Sequence, residues 1–133
     1  MTGNKEDYLK IIYELGGELE EVSNKNISEA LNISPSSVSE MIKKLLNDGF
    51  VDYKPYRGIR LSKSGIKKAR KVKRRHHLWE VFLVEKLGYK IDEVHDEAEV
   101  LEHVTSEKLE RLLDKYLDYP ETCPHNTNIE RDE

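Results

Sequence analysis

A single cysteine in 133 residues, Cys123, rules out an internal disulfide framework and fits a reducing cytoplasm. No apolar run approaches the roughly 18 residues of a membrane span. The N-terminus MTGNKEDYLK lacks the apolar core of a signal peptide. Internal repeats and low-complexity segments are missing too. These absences lead us to expect a cytoplasmic chain with no membrane partner. Hydrophobic residues make up 37% and charged residues 36%, enough for a core and too little charge excess for disorder. The length suits one domain, or two small ones sharing a helix.

The formal net charge of −4 hides an asymmetry. Residues 1–75 hold 16 Lys and Arg against 10 Asp and Glu, whereas residues 76–133 hold 6 against 16. A basic half suits polyanions, and an acidic half suits cations or plain solubility.

Helical spacing of Tyr8, Ile11, Ile12 and Leu15 predicts a first helix over 5–15, ended by Gly16-Gly17. Ser23 is placed to cap a short helix through Leu31, with Ile27, Ala30 and Leu31 inward. A three-residue turn follows. Ser34 then caps a second helix with Pro35 at its first position, stopping at Gly49. Val38, Met41, Ile42 and Leu45 form its inner stripe. FVDYK and IRL flank PYRG as a β-hairpin. A long helix runs from about Lys63 to Leu87 and is closed by Gly88. Further helices are expected over 92–104 and after Ser106, where Leu109, Leu112, Leu113, Tyr116 and Leu117 form a stripe for core or subunit contact. Residues 121–133 carry breakers and no pattern, and are expected to be irregular.

Helix, short turn, helix and hairpin is the order of a winged helix-turn-helix. The exposed N-terminal positions of its second helix are small or hydrogen-bonding: Pro35, Ser36, Ser37, Ser39 and Glu40. Small side chains let a helix N-terminus approach base edges and phosphates closely. Lys43 and Lys44 suit the flanking backbone, and Arg57 at the hairpin tip suits a minor groove or a phosphate. A serine-rich cap that merely starts a helix has the same composition. The run KSGIKKARKVKRR adds eight cations and no acid, which reads as a solvated face or as partly phosphate-facing.

The segment VHDEAEVLEHV places His95, Glu99, Glu102 and His103 within roughly a 100° arc of a helix, opposite most of its valines. His76 and Glu80 share a face of the long helix, while His77 faces elsewhere. Asp7 sits at the edge of the first helix's apolar stripe. Carboxylates and imidazoles without a thiolate suit Mn²⁺, Fe²⁺ or Zn²⁺, and donor chemistry does not choose among them. Each piece also has an ordinary reading: an acidic solvated face, a surface His–Glu pair, an acid complementing a helix dipole. Cys123 and His125 make no closed zinc site by themselves, so loop packing is the simpler expectation.

Taken in order, EDYLKIIYEL, SPSSVSEMIKKL, YRGIRLSKSG, RHHLWEVFL and VHDEAEVLEHV resemble the DtxR/MntR metalloregulators, the diphtheria-toxin-repressor type, along almost the whole chain. The resemblance implies a mainly α protein. Residues 1–72 would be a winged helix-turn-helix DNA-binding domain with a small β-hairpin. Residues 73–120 would be an all-α dimerisation and metal-binding domain. It implies a homodimeric, metal-activated repressor on a palindromic double-stranded operator, controlling metal-ion homeostasis genes. Asp7, Glu99, Glu102 and His103 map onto the primary metal site, and His76, Glu80 and His95 onto an ancillary one. Iron-responsive members tend to carry Met and Cys where this chain has Asp7 and Glu99, so Mn²⁺ is the expected ion and an iron-responsive repressor the alternative.

Two departures stand out. Short two-domain manganese regulators carry a glutamate where this chain has Lys10, so their paired-metal geometry does not transfer whole. PETCPH resembles members that continue into an SH3-like third domain supplying ancillary ligands; here the sequence stops at Glu133, and an ancillary site incomplete or filled by water is expected.

The expected mechanism is a metal that ties the DNA-binding half, through Asp7, to the dimerisation half. A metallohydrolase is the enzymatic rival, because E-x-x-E-H at Glu99–His103 nearly matches H-x-x-E-H, but a glutamate stands where its first histidine is required. A di-metal carboxylate oxidase lacks its paired E-x-x-H motifs. A metal-independent winged-helix DNA-binding protein is the remaining alternative. No enzyme activity is expected.

Overall fold

A computed structural model describes residues 3–131. The elements, in chain order, are α1 (Gly3–Glu14), α2 (Asn24–Leu31), α3 (Pro35–Asn47), β1 (Val51–Lys54), β2 (Gly58–Leu61), α4 (Lys63–Leu87), α5 (Val94–Glu102) and α6 (Glu107–Tyr116). Two compact units result, one ending at Ala69 and one beginning at Arg70, with the boundary inside α4. Among the described residues no helix is long and apolar enough to cross a membrane.

In the first unit the expected α3 stripe is buried as a set, with Val38 and Leu45 wholly enclosed. The caps also form as expected. Ser23 Oγ accepts from the Asn26 amide, and Ser34 Oγ accepts from the Ser37 amide. Asn32 ends α2 in the left-handed region, φ 55°, which makes the turn into α3 tight. Two inner faces differ from expectation. In α1 the helix stops at Glu14, so Leu15 lies beyond it and is exposed, while Leu9 joins Tyr8 and Ile12 in the core. In α2 Ala30 is exposed and Ser28 is buried, because the Ser28 hydroxyl donates to the Ile33 carbonyl at 2.5 Å and holds the turn.

β1 and β2 pair antiparallel, Val51 opposite Leu61 and Lys54 opposite Gly58. Val22 forms a further antiparallel bridge to Ile59, tying the hairpin to the segment before α2. Gly58 is required there: its φ is +122°, and a Cβ would lie 2.4 Å from the Val22 carbonyl oxygen.

In the second unit α4, α6 and the C-terminal segment enclose Leu78, Val81, Leu113 and Ile129, with Trp79, Phe82 and Leu117 packed against them. Residues 121–131 carry neither helix nor strand, yet they are tied down. Thr122 bridges Asn128, the Cys123 amide donates to the Thr127 carbonyl, and Cys123 and Ile129 are buried. Ser106 caps α6 by accepting from the Leu109 amide. The α6 stripe splits: Leu113 is buried, whereas Leu109, Leu112 and Tyr116 are exposed.

The basic run is not a uniform phosphate-facing surface. Arg74 Nε and Arg75 Nε donate to the two oxygens of buried Glu110 at 2.7 and 2.6 Å, and Lys71 pairs with Glu107. Lys68 pairs with Glu6 in the first unit. These cations hold the fold, because a guanidinium withdrawn from water requires a partner anion. Lys63 and Lys67 remain exposed.

Removing Glu110 takes the carboxylate away from two buried guanidinium groups. Glu110→Ala should cost about 3–5 kcal/mol of stability, read as a lower urea midpoint. A loss below about 1 kcal/mol would show that water reaches both arginines.

Candidate metal centre and nucleic-acid interface

α4 and α5 bring the imidazoles of His76, His95 and His103 close to the carboxylates of Glu80, Glu99 and Glu102. Spacing i, i+4 puts His76 Nε2 3.4 Å from Glu80 Oε2, and His76 Nδ1 lies 2.6 Å from Glu102 Oε1. On its other oxygen Glu102 meets His103 Nε2 at 3.5 Å. The result is a chain of four groups: Glu80, His76, Glu102, His103. His95 packs edge-on against His76, ring centroids 4.8 Å apart, and reaches Glu99 at 3.7 Å.

The stripe on α5 is solvated only in part: the His95 and Glu99 side chains are largely exposed, while His103 is mostly covered. Glu102 is 0% exposed, while Val100 and Val104 are 63% and 72% exposed. Helical spacing sets those valines opposite most of the stripe, where a solvated acidic face would leave them buried. The reversal has a local cause: Glu102 turns toward His76 on α4, and α5 ends there, with His103 as its C-cap.

A carboxylate can only accept from His76, so a neutral His76 carries its hydrogen on Nδ1 and leaves the Nε2 lone pair toward Glu80. A carboxylate that fixes the tautomer of an imidazole in this way is the usual support of a metal-ligating histidine. Ligand atoms of His76, Glu80 and His95 lie within 4.8 Å of one another, and so do those of His95, Asp96 and Glu99. Asp7 lies on α1 of the first unit, half-buried.

Burial alone pulls the His76 pKa down. The hydrogen bonds to Glu102 and Glu80, with their negative charges, outweigh it and hold the proton above the ordinary imidazole range. For Glu80 burial pushes upward, but the hydrogen bond from His76 and the charges of His76, His125 and His77 carry its pKa below the ordinary carboxylate range.

From the sequence, loop packing is the simpler expectation for Cys123 and His125. Cys123 is indeed buried, but its sulfur lies within 4.8 Å of ligand atoms of His77 and Glu80. His125 Nδ1 stands 3.2 Å from Glu80 Oε2. Glu80 therefore belongs to two trios, one with His76 and His95, the other with His77 and Cys123. The CPH tripeptide was the available signal. That it folds back onto α4 depends on the path of the C-terminal segment, which no local pattern encodes.

In the first unit Pro35, Ser36, Ser37, Ser39, Glu40, Lys43 and Lys44 are all exposed on α3, and Arg57 is exposed in the β1–β2 turn. The Ser34 hydroxyl, having accepted from the Ser37 amide, donates to the Ser37 hydroxyl at 2.9 Å. Beyond the buried stripe, this helix offers hydroxyls, one acid and two lysines. Sequence reasoning overlooked Asn24 on α2, whose side chain reaches α3.

A winged helix-turn-helix followed by helices bearing a carboxylate–imidazole chain marks a metal-linked DNA-binding protein. Residues 1–59 match the iron dependent repressor N-terminal DNA binding domain, and residues 62–131 match the iron dependent repressor metal binding and dimerisation domain. The chain belongs to the iron dependent repressor family, whose members are metal-dependent transcriptional repressors rather than enzymes. That membership sets aside the hydrolase and oxidase alternatives.

Among curated proteins it is 40% identical over 123 residues to an HTH-type transcriptional regulator of Methanocaldococcus jannaschii, covering 89% of this chain and 98% of that one. It is 39% identical over 102 residues to the regulator MntR of Oceanobacillus iheyensis, covering 77% and 69%. The solved structure of the manganese regulator SloR superposes with a TM-score of 0.83 at 50% identity, covering 97% of this chain and 60% of that one. The chain thus spans about three-fifths of the length of that solved regulator.

The raised His76 pKa stabilises the metal-free fold below the ordinary imidazole pKa, and this contribution is lost as pH rises through the raised value. The lowered Glu80 pKa stabilises it above the ordinary carboxylate pKa, and is lost as pH falls through the lowered value. In metal-free protein the His76 ring should titrate above about 6.5 by NMR, and Glu102→Gln should bring it down. An unchanged midpoint in that variant would remove Glu102 as the cause.

Proposed function

We propose that this protein is a manganese-activated transcriptional repressor. It acts in the cytoplasm as a homodimer, binds a palindromic operator and controls genes of metal-ion homeostasis. Residues 1–72 serve DNA binding, and residues 73–120 serve dimerisation and metal binding, with 121–133 following. The activating ion is held by Asp7, Glu99, Glu102 and His103. His76, Glu80 and His95 form the ancillary set.

The single observation that carries this reading is Glu102, wholly buried and flanked by imidazoles. A carboxylate withdrawn from water requires positive charge nearby, the same requirement that holds the proton on His76 in metal-free protein. A divalent ion answers that requirement. Oxygen donors from Asp7, Glu99 and Glu102 with one imidazole suit Mn²⁺, and the only thiol, Cys123, lies outside this set. MntR and the manganese regulator SloR are similar along most of this chain, which supports the same ion here. Exposed Val100, Val104, Leu109, Leu112 and Tyr116 give the second unit the apolar surface that a dimer would cover.

The DNA-facing surface is the exposed side of α3 with Arg57 of the wing. Serine hydroxyls meet base edges or phosphates, and Lys43 and Lys44 meet the backbone. The ion neutralises carboxylates supplied by both domains and so favours the DNA-binding arrangement. Metal and operator then strengthen each other by one common factor.

A binding titration with Mn²⁺, Fe²⁺, Zn²⁺ or chelator tests this on a duplex selected from a randomised pool in manganese. Mn²⁺ should tighten binding by about 5–150-fold over chelator. Asp7→Ala and Glu99→Ala should abolish that difference. Binding that survives chelation would overturn metal dependence, and a preference for Fe²⁺ would overturn the manganese assignment. On the same duplex, Lys43→Ala or Lys44→Ala should each lower the slope of log K against log salt by about 0.9. An unchanged slope would take that lysine off the phosphates.

A further inference from the structure

We propose that Asn24, on α2, is a positioning residue that fixes the Ser39 hydroxyl as an outward hydrogen-bond donor to DNA. The inference rests on the proposed DNA-binding role of α3. Asn24 Nδ2 lies 3.3 Å from the Pro35 carbonyl oxygen and 3.0 Å from Ser39 Oγ. A carbonyl only accepts, so the atom facing Pro35 has to be the amide NH₂. That settles the orientation of the amide, and Ser39 Oγ therefore accepts from it.

The consequence falls on the Ser39 proton. A serine inside a helix usually has an easy acceptor in the carbonyl four residues back, here Pro35. Asn24 already donates to that carbonyl, so the back-bond is opposed. With its oxygen engaged by Asn24, the Ser39 hydroxyl keeps one hydrogen to give. It opens on a groove of about 650 Å³ lined by Asn24, Pro35, Ser36, Ser39, Lys43 and Tyr53.

Nucleic acid offers the matching acceptors, a phosphate oxygen or an acceptor atom on a base edge in the major groove. Both take the same donated proton. Asn24 need not touch the DNA. Its role is to decide which way a hydroxyl points, and to hold the hydroxyl there before DNA arrives, so that no rotamer has to be selected on binding.

The substitutions are mild for the fold. Position 24 is the first residue of α2 after the Ser23 cap, where an acid complements the helix dipole, so Asn24→Asp is compatible with folding. An aspartate, however, accepts only. It would draw the Ser39 proton inward and reverse the polarity of the hydroxyl. An alanine would free the Pro35 carbonyl and let Ser39 bond back to it.

The test measures binding of wild type, Ser39→Ala, Asn24→Ala, Asn24→Asp and the two double variants. Each is assayed in Mn²⁺ on the pool-selected duplex and on a scrambled duplex. Ser39→Ala should weaken binding by about 2–10-fold, the range of one neutral hydrogen bond. Asn24→Ala should weaken it similarly, and adding Asn24→Ala to Ser39→Ala should cost nothing more. Asn24→Asp should cost more in wild type than in the Ser39→Ala background, by the Ser39 factor, because charge repulsion is common to both.

A Ser39→Ala loss equal on both duplexes supports a phosphate acceptor, and a loss confined to the selected duplex supports a base acceptor; either supports the role of Asn24. Effects that simply add, or an Asn24→Ala protein that binds like wild type, overturn it while leaving the function intact. A folded wild type that binds no duplex in Mn²⁺ overturns the function and the positioning role together.

Discussion

The second unit is organised around one buried anion. Glu102 has no access to water, and imidazoles stand 2.6 and 3.5 Å from its two oxygens. An apolar residue would be the cheaper occupant of such a position, since burying a carboxylate costs several kcal/mol even after relaxation. A fold that keeps a carboxylate there has a use for its charge. The same group fixes the His76 tautomer, and His76 in turn lowers the Glu80 pKa, so two sets of donors share a single hydrogen-bonded chain. A change in charge at one end is felt at the other through His76.

Most of the fold was legible locally, because its signals are local. Ser23, Ser34 and Ser106 sit where caps should, and each accepts the backbone amide expected of a cap. The stripe of α3 and the Lys63–Leu87 span of α4 follow from helical period and a terminal glycine. Where the reading failed, tertiary partners decided. Glu102 is inside and Val100 outside because of what α4 presents to α5, which the sequence of α5 alone does not state. Leu15 lies beyond the end of α1 and is exposed, while Leu9 is held in the core cluster of the first unit.

The candidate site was legible in composition and less so in grouping. His76, Glu80 and His95 were named together from sequence, and the structure brings their ligand atoms within 4.8 Å. The grouping of Cys123 and His125 with α4 has no such signal, since a Cys-Pro-His tripeptide in a breaker-rich segment gives no hint that it returns there. Half of the basic run turned out to be structural for a related reason. Cations are recognised in a sequence by type, while their anions, Glu107 and Glu110, lie more than thirty residues away.

The donor set also decides whether the proposed metal could act as a switch at all. A ligand that binds two conformations equally well shifts nothing, however tight it is. An ion held only by His76, Glu80, Glu99, Glu102 and His103 would meet the same donors whether or not DNA was bound, because all five belong to the second unit. It would stabilise that unit and leave operator affinity alone. Only a ligand from the DNA-binding unit makes the ion's binding energy depend on where that unit stands. In the proposed set that ligand is Asp7. Its carboxylate has almost no signal in the sequence, as an acid early in a helix is ordinary. Yet in the proposed set it is the residue on which regulation, as distinct from metal binding, would turn.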